Sequence, residues 1–154
     1  MRVVVAVVGR ARDEGLATAI QEYERRAARY WPLDIHEIRE ESARSASPDM
    51  VRDREGERLR AKVADARSVV ACDVSGERMT SEQFAKWLQD EREGARGVAF
   101  MIGGAYGLSD AVKTSATKKL SLAPWTLPHE LARLVLAEQL YRAGTIMRGE
   151  PYHK

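Results

Sequence analysis

Cysteine is nearly absent: Cys72 is the single thiol in a chain of 154 residues. That excludes an internal disulfide and any multi-cysteine cage around a metal, and no metal site is expected elsewhere. The fold must therefore be held by packing, and at this length one apolar core suffices. Long hydrophobic runs are missing too. No stretch approaches the twenty or so consecutive apolar residues of a membrane helix. The first residues, MRVVVAVVGRARDEG, put a short β-branched run after one charge, without the small-residue cleavage pattern of a signal peptide. Repeats and low-complexity tracts are also lacking. The expectation is a soluble, cytoplasmic chain with no membrane partner, folded as a single domain over 1–154.

Neither charge sign dominates, since 25 Lys and Arg face 23 Asp and Glu. The distribution is uneven, however. Residues 113–154 hold seven basic and three acidic side chains, leaving 18 and 20 for residues 1–112. Arginine outnumbers lysine 19 to 6, and its planar fork grips phosphate with two parallel hydrogen bonds. A polyanionic partner and an ordinary mixed surface both fit this pattern.

The elements alternate. Arg2–Val8 reads as a strand covered on both faces, and Ala11–Tyr30 as an amphipathic helix with Leu16, Ile20, Tyr23 and Ala27 inward. Pro32–Ile38 is a strand near an edge. Ser47 and Pro48 open a charged helix reaching about Ala64, read as a solvated face. Ser68–Val74 is a buried strand closed by a Ser75-Gly76 turn. Thr80 caps a helix to Arg92 with Phe84, Trp87 and Leu88 inward. A strand at Val98–Ile102, a short helix capped by Ser109, a brief strand at Leu120–Leu122 and a helix from Pro128 to Met147 complete the chain. This makes an α/β protein with a mainly parallel sheet and helices on both faces, in which ligands sit beyond the carboxyl ends of the strands. The last helix is apolar nearly all round, which points to a symmetric homodimer through it, with Leu136 or Leu140 facing the partner.

The segment IGGAYGLS, residues 102–109, lies at such a strand end. Its glycines, Gly103, Gly104 and Gly107, follow G-G-x-x-G. A dinucleotide fingerprint needs G-x-G-x-x-G after the first strand, and a P-loop needs Gly-Lys-Ser/Thr at its end. Both phosphate readings fail. Either backbone approaches a ligand here, or the chain makes a tight strand-to-helix turn. A second loop, SLAPWTLPHE at 121–130, is bracketed by Pro124 and Pro128, which pre-order it. Trp125, Thr126 and Leu127 between them offer apolar wall and free amides, suited to a flat heterocycle. His129 then starts the last helix, and Glu138 and Arg142 stand one turn apart on it.

The combination of IGGAYGLS, LSLAPWTLPHELARLVLAEQLYRA and the terminal PYHK, with VVAVVGR and YERRAARY earlier, resembles the RlmH (YbeA-type) branch of the SPOUT methyltransferases over essentially the whole chain. The resemblance implies a SPOUT-type fold with a C-terminal trefoil knot. It also implies methylation at N3 of a pseudouridine in helix 69 of 23S ribosomal RNA, on assembled ribosomes, with S-adenosylmethionine as cofactor. Carried over by position, the cofactor would meet Cys72 at the strand end before Asp73, then Gly103, Gly104, Leu122, Ala123, Pro124, Trp125, Thr126, Leu127 and Pro128. Cys72 departs from the larger aliphatic residue expected there. The catalytic set would be His129, Arg142, Tyr152 and His153, with the tail ordering over the flipped base when RNA enters. Two other classes compete: a non-catalytic RNA-binding module of the same fold, and a SPOUT enzyme acting on transfer RNA. The intact TLPH loop argues against the first, and the lack of an appended RNA-binding domain against the second.

Overall fold

The computed structural model describes residues 1–153, for His153 the backbone alone. Five strands, β1 (Val3–Val8), β2 (Leu33–Ile38), β3 (Ser68–Arg78), β4 (Val98–Ile102) and β5 (Lys118–Ser121), form one sheet in the order β2-β1-β4-β3-β5. Every neighbouring pair is parallel. The helices are α1 (Glu14–Ala27), α2 (Pro48–Val63), α3 (Ser81–Glu93), α4 (Asp110–Ser115) and α5 (His129–Met147), followed by a 3-10 turn at Pro151–His153.

Side chains of β1 alternate between two cores, as a strand covered on both faces must. Val3, Val5 and Val7 join Ala27 of α1, Phe84 and Leu88 of α3, and Leu136 and Leu140 of α5. Ala6 and Val8 join Leu59 and Val63 of α2 and Val112 of α4. Crossovers stepping toward β2 carry their helices on the first face, and those stepping toward β5 on the second. This is the arrangement that right-handed βαβ units require.

Capping fixes the helix starts. Asp13 accepts from the Leu16 amide, Ser47 from Met50, and Ser109 from Val112. Thr80 and Gln83 form a reciprocal capping box. Helix α1 therefore begins at Glu14, after the Asp13 cap, and not at Ala11. Strand β2 sits at the edge, as its alternation predicts. The solvated reading of α2 holds only for part of it, because Val51, Glu55, Gly56, Leu59 and Val63 are buried.

Two strand ends differ from expectation. Strand β3 continues to Arg78 because the chain makes an excursion at 73–76 and then rejoins β5. Cys72 and Glu77 both register with Leu120. A side chain at Gly76 would stand 2.6 Å from the Leu120 amide nitrogen, so only glycine lets the returning backbone cross β5 this closely. Strand β5 ends at Ser121 and excludes Leu122, because the Ser121 hydroxyl turns to donate to the Ala123 carbonyl at 2.7 Å.

Helix α5 corrects the sequence reading most. Its all-round apolarity comes from burial inside one chain, between α1 and α3 and against the sheet. Leu136 and Leu140 are each only 1% exposed and face this core, so neither is available to a partner. What remains half-exposed and apolar is the stripe Leu131, Leu134 and Val135. Among the described residues no helix is long and apolar enough to cross a membrane.

Leu140→Ala tests the intrachain burial of α5. It is expected to lower unfolding free energy by about 2–5 kcal/mol in urea titration, with no change in oligomeric state by light scattering. A shift of oligomeric state without loss of stability would refute the packing described.

Candidate functional site

The carboxyl ends of β3, β4 and β5 open onto a cleft of about 680 Å³, within the range of small-molecule sites. Three segments build it: 72–74 where β3 begins its excursion, 102–108 at the end of β4, and the loop from Leu122 into α5, with Arg52 reaching in from α2. The deep wall is aliphatic, from Ile102, Leu122, Leu127 and Ala132 together with Cys72.

The first loop is a tight hairpin. Gly104 and Gly107 make an antiparallel bridge, and the Gly107 amide donates to the Gly104 carbonyl at 3.0 Å. A Cβ on Gly103 would lie 2.6 Å from the Gly107 carbonyl carbon, and one on Gly104 would lie 2.9 Å from Val8 Cγ1 and 3.2 Å from Glu55 Oε1. Loop closure and the packing beneath it thus demand both glycines. Both also line the cleft, so the tight turn and a bare-backbone lining are two aspects of one geometry.

The second loop is braced by the Ser121 hydroxyl bond to Ala123 and by Pro124 and Pro128. It delivers the chain to α5, whose N-cap, Pro128, has no side chain able to accept a hydrogen bond. His129 follows and lines the cleft, and its Nε2 is buried with no hydrogen-bond partner. The Arg12 amide donates to Glu130 Oε1 at 2.8 Å, tying the loop after β1 to this helix start.

Three of the ionisable groups that border the cleft or lie under its loops have shifted acidities. Burial, aided by the charge of Asp73, pushes the Cys72 thiol up to about 12. It is a neutral wall, not a nucleophile. For Asp73 burial favours the proton, but the hydroxyl and amide of Ser75, with Lys113 and Lys119, outweigh it and hold the carboxyl below its ordinary range. An anion stabilised in this way is a poor base. Beneath the glycine hairpin, Glu55 is 4% exposed. Its Oε2 accepts from the Glu41 amide at 3.1 Å, whereas its Oε1 is orphaned. Burial raises its pKa against the hydrogen bond from the Glu41 amide and the charge of Arg58, with the charges of Glu40 and Glu41 adding to the rise.

Most of the residues expected from the sequence meet here. Cys72, Gly103, Gly104, Leu122, Ala123, Trp125, Thr126, Leu127, Pro128 and His129 all line the cleft. Pro124 is exposed and lies outside the lining; it shapes the loop from behind. Arg142 and Tyr152 are not in the cleft. Thirteen residues of helix separate Arg142 from His129, about 20 Å at the α-helical rise. Tyr152 is already docked there without RNA: its hydroxyl donates to Glu138 Oε1 at 3.0 Å, its ring lies 4.5 Å from that of Tyr141, and the Arg142 guanidinium stands over it. The expectation that the tail orders only when RNA enters is corrected for Tyr152, while the His153 side chain lies outside the described residues. Arg142 also pairs with Glu138, as their spacing predicts. Sequence reasoning missed Arg52 and Tyr106. Tyr106 sits inside the glycine motif and was legible there, whereas nothing in the charged α2 sequence singles out Arg52. Among the described residues no cluster of His, Cys, Asp or Glu suited to a metal exists.

A family profile described as "Predicted SPOUT methyltransferase" matches residues 1–153. A protein of Gemmatimonas aurantiaca named ribosomal RNA large subunit methyltransferase H is 63% identical over the full length of both chains. One of the same name from Anaeromyxobacter is 47% identical, again over both full lengths. Among solved structures, a probable methylase family protein from Haemophilus influenzae aligns with a TM-score of 0.60 at 10% identity, covering 99% of this chain and 70% of its own. A probable methyltransferase from Bordetella pertussis aligns at 0.54 and 12% identity, covering 92% and 95%. At such identities the structural likeness speaks for the fold alone.

The pH dependence of Glu55 is open to test. Its raised pKa means that the stability it contributes is complete below the ordinary carboxyl value of about 4.3 and is lost as pH rises through the folded-state value. Glu55→Gln cannot ionise, so its melting temperature relative to wild type is expected to rise between pH 4 and pH 8. Parallel pH profiles for the two proteins would show that Glu55 carries no such burden.

Proposed function

The chain belongs to the SPOUT methyltransferase family, and from that premise we propose that it methylates large-subunit ribosomal RNA, at N3 of a pseudouridine in helix 69 of the 23S molecule, with S-adenosylmethionine as donor. The observation that carries this reading is the cleft at the carboxyl ends of β3, β4 and β5. It is walled by bare glycine backbone on one side and a proline-braced loop on the other, with the unpartnered His129 Nε2 at its edge. The full-length identity to methyltransferases H supports the substrate class.

The residues present fit the cofactor. Leu122, Leu127, Ile102 and Cys72 would exclude water around its adenosyl part. Backbone of Gly103, Gly104 and Ala123, with Thr126 and Pro128, would meet its edges. S-adenosylmethionine, when bound, supplies an electrophilic methyl group on a sulfonium. The chain's own contribution is positioning, which is worth several kcal/mol when reacting atoms are aligned. The acceptor nitrogen must also lose a proton. Asp73 is a poor base, so we assign this task to His129, whose buried Nε2 is free to take or share it.

Two finer features complete the proposal. Helix α5 lies between α1 and α3 although β5 is outermost. The β5–α5 connection would therefore run beneath the β3–α3 connection, making the expected knot. The stripe Leu131, Leu134 and Val135 would pair with a second copy about a two-fold axis. With the axis across the helices the pairing would be antiparallel, bringing the Arg142 and Tyr152 end of one copy toward the cleft of the other. That is how the tail residues would serve a reaction about 20 Å from their own α5 start. The ribosomal substrate places the protein in the cytoplasm.

Three measurements test this together. S-adenosylmethionine should raise the melting temperature of the wild type by mass action. It should leave that of Gly103→Ala unmoved, because the added Cβ forces the hairpin open. Methyl transfer to ribosomes should map by mass spectrometry to the helix 69 pseudouridine. Deleting residues 151–154 should slow single-turnover transfer at least tenfold, about 1.4 kcal/mol, and mixing the truncation with Gly103→Ala should restore activity through hybrid dimers. Ribosomal RNA left unmethylated by a protein that binds the cofactor would favour the non-catalytic RNA-binding alternative.

A further inference from the structure

Four large apolar side chains stand exposed among the described residues, and three of them gather at the mouth of one cleft. Val74 comes from the excursion within β3 and Tyr106 from the glycine hairpin. Trp125, from the proline-braced loop, is the extreme case at 79% exposure. Its neighbours on the same loop, Leu122 and Leu127, pack toward the main core. The loop is held by the Ser121–Ala123 hydrogen bond and flanking prolines, so the indole is not free to fold inward. Hairpin closure holds Tyr106 in its turn, and the Arg52 guanidinium donates to its carbonyl at 3.4 Å. Two exposed aromatic side chains thus stand on two different loops that line the cleft.

We infer that Trp125, with Tyr106 on the neighbouring glycine hairpin, is a stacking platform for an unpaired RNA base next to the nucleotide that enters the cleft. The inference rests on the ribosomal RNA reading above and adds a substrate-positioning residue to it. A base can be methylated at N3 only after leaving its stack, which bares the face of its neighbour. An exposed indole at the rim re-covers that face, and stacking on an aromatic side chain tolerates any base. At 79% exposure the ring stands clear of the aliphatic wall that Leu122, Leu127, Ile102 and Cys72 form. Trp125 is therefore reassigned from the cofactor wall to the RNA side of the site.

Intrinsic fluorescence isolates the residue. Trp31 is 1% exposed and Trp87 packs on Phe84 and Phe100, so Trp125 is the solvated tryptophan. An RNA hairpin with an unpaired loop should quench wild-type emission but not that of Trp125→Phe. Trp125→Ala should raise KM for ribosomes at least tenfold, leaving kcat and the S-adenosylmethionine Kd within twofold. Trp125→Phe, which keeps a ring, should stay within threefold in KM. A tenfold loss of cofactor affinity at unchanged KM would make the indole an adenine cover and overturn the proposal. A change of oligomeric state in Trp125→Ala would overturn it in favour of a partner contact. If wild type methylates ribosomes and Trp125→Ala matches its KM, only the role of Trp125 falls. If wild type binds cofactor but methylates no ribosomal RNA, the functional reading falls and takes this inference with it.

Discussion

A helix wedged between two others and a sheet keeps only a narrow side for water, and in α5 that burial sets the positions of both its ends. The start must lie at the carboxyl edge of the sheet, where the preceding loop leaves β5, so His129 arrives at the cleft. Its far end must lie a helix length away, where the Tyr23, Tyr30 and Tyr141 rings collect and Tyr152 docks. Burial also dictates what α5 can carry. Its one deeply placed charge, Arg133, is tied to Glu24 of α1 at 2.8 Å and Glu37 of β2 at 2.6 Å. Burial works against the charged form of Arg133, but the two carboxylates outweigh it and raise the pKa. A guanidinium so placed specifies how α5 sits against α1 and β2, because any other seating would leave Glu24 buried without its partner.

The same constraint explains the glycines. Once α5 occupies the space between α1 and α3, the connections around β3 and β5 are crowded against each other. Backbone must cross backbone where Gly76 meets Leu120. The hairpin at 103–107 closes under a related limit, with β1 and Glu55 pressing from below. What looks in sequence like a ligand motif is therefore first a solution to crowding. The bare cleft wall follows from it, since a loop too tight for side chains presents its peptide groups to whatever lies above.

Much of this was legible in the sequence because local signals and tertiary context agree. The β-branched run of β1, the caps at Ser47, Thr80 and Ser109, and the apolar run of β4 each specify an element with little competition. The alternation of β2 carried its edge position as well. The misreadings have a common cause. The partner-facing role expected of Leu136 or Leu140, the end of β3 at Val74 and the solvated reading of α2 all concern which surface meets which across the fold. Periodicity reports that a residue is buried but not by what. Thus the burial of Leu136 and Leu140 was read correctly and assigned to the wrong neighbour. Arg52 escaped for the complementary reason, since one arginine among many on a charged helix carries no mark of the cleft it enters. Ten of the cofactor and catalytic positions inferred from the family resemblance line a single cleft, whereas Arg142 and Tyr152 stand apart at the other end of α5.

Folded chains satisfy their buried polar groups almost without exception. Among the described residues only two buried side-chain atoms lack a partner, Glu55 Oε1 and His129 Nε2. Chance would scatter such atoms through the molecule, yet one lies under the glycine hairpin and the other at the end of the proline loop. One unpartnered atom thus lies on α2 beneath the first cleft segment and the other on the second segment itself. For His129 the consequence is chemical. An imidazole nitrogen without a partner in the folded chain is free to bond to an entering base, and the buried position strengthens that bond by lowering the local dielectric. A partner supplied by the protein itself would have stabilised the fold and taken up that capacity.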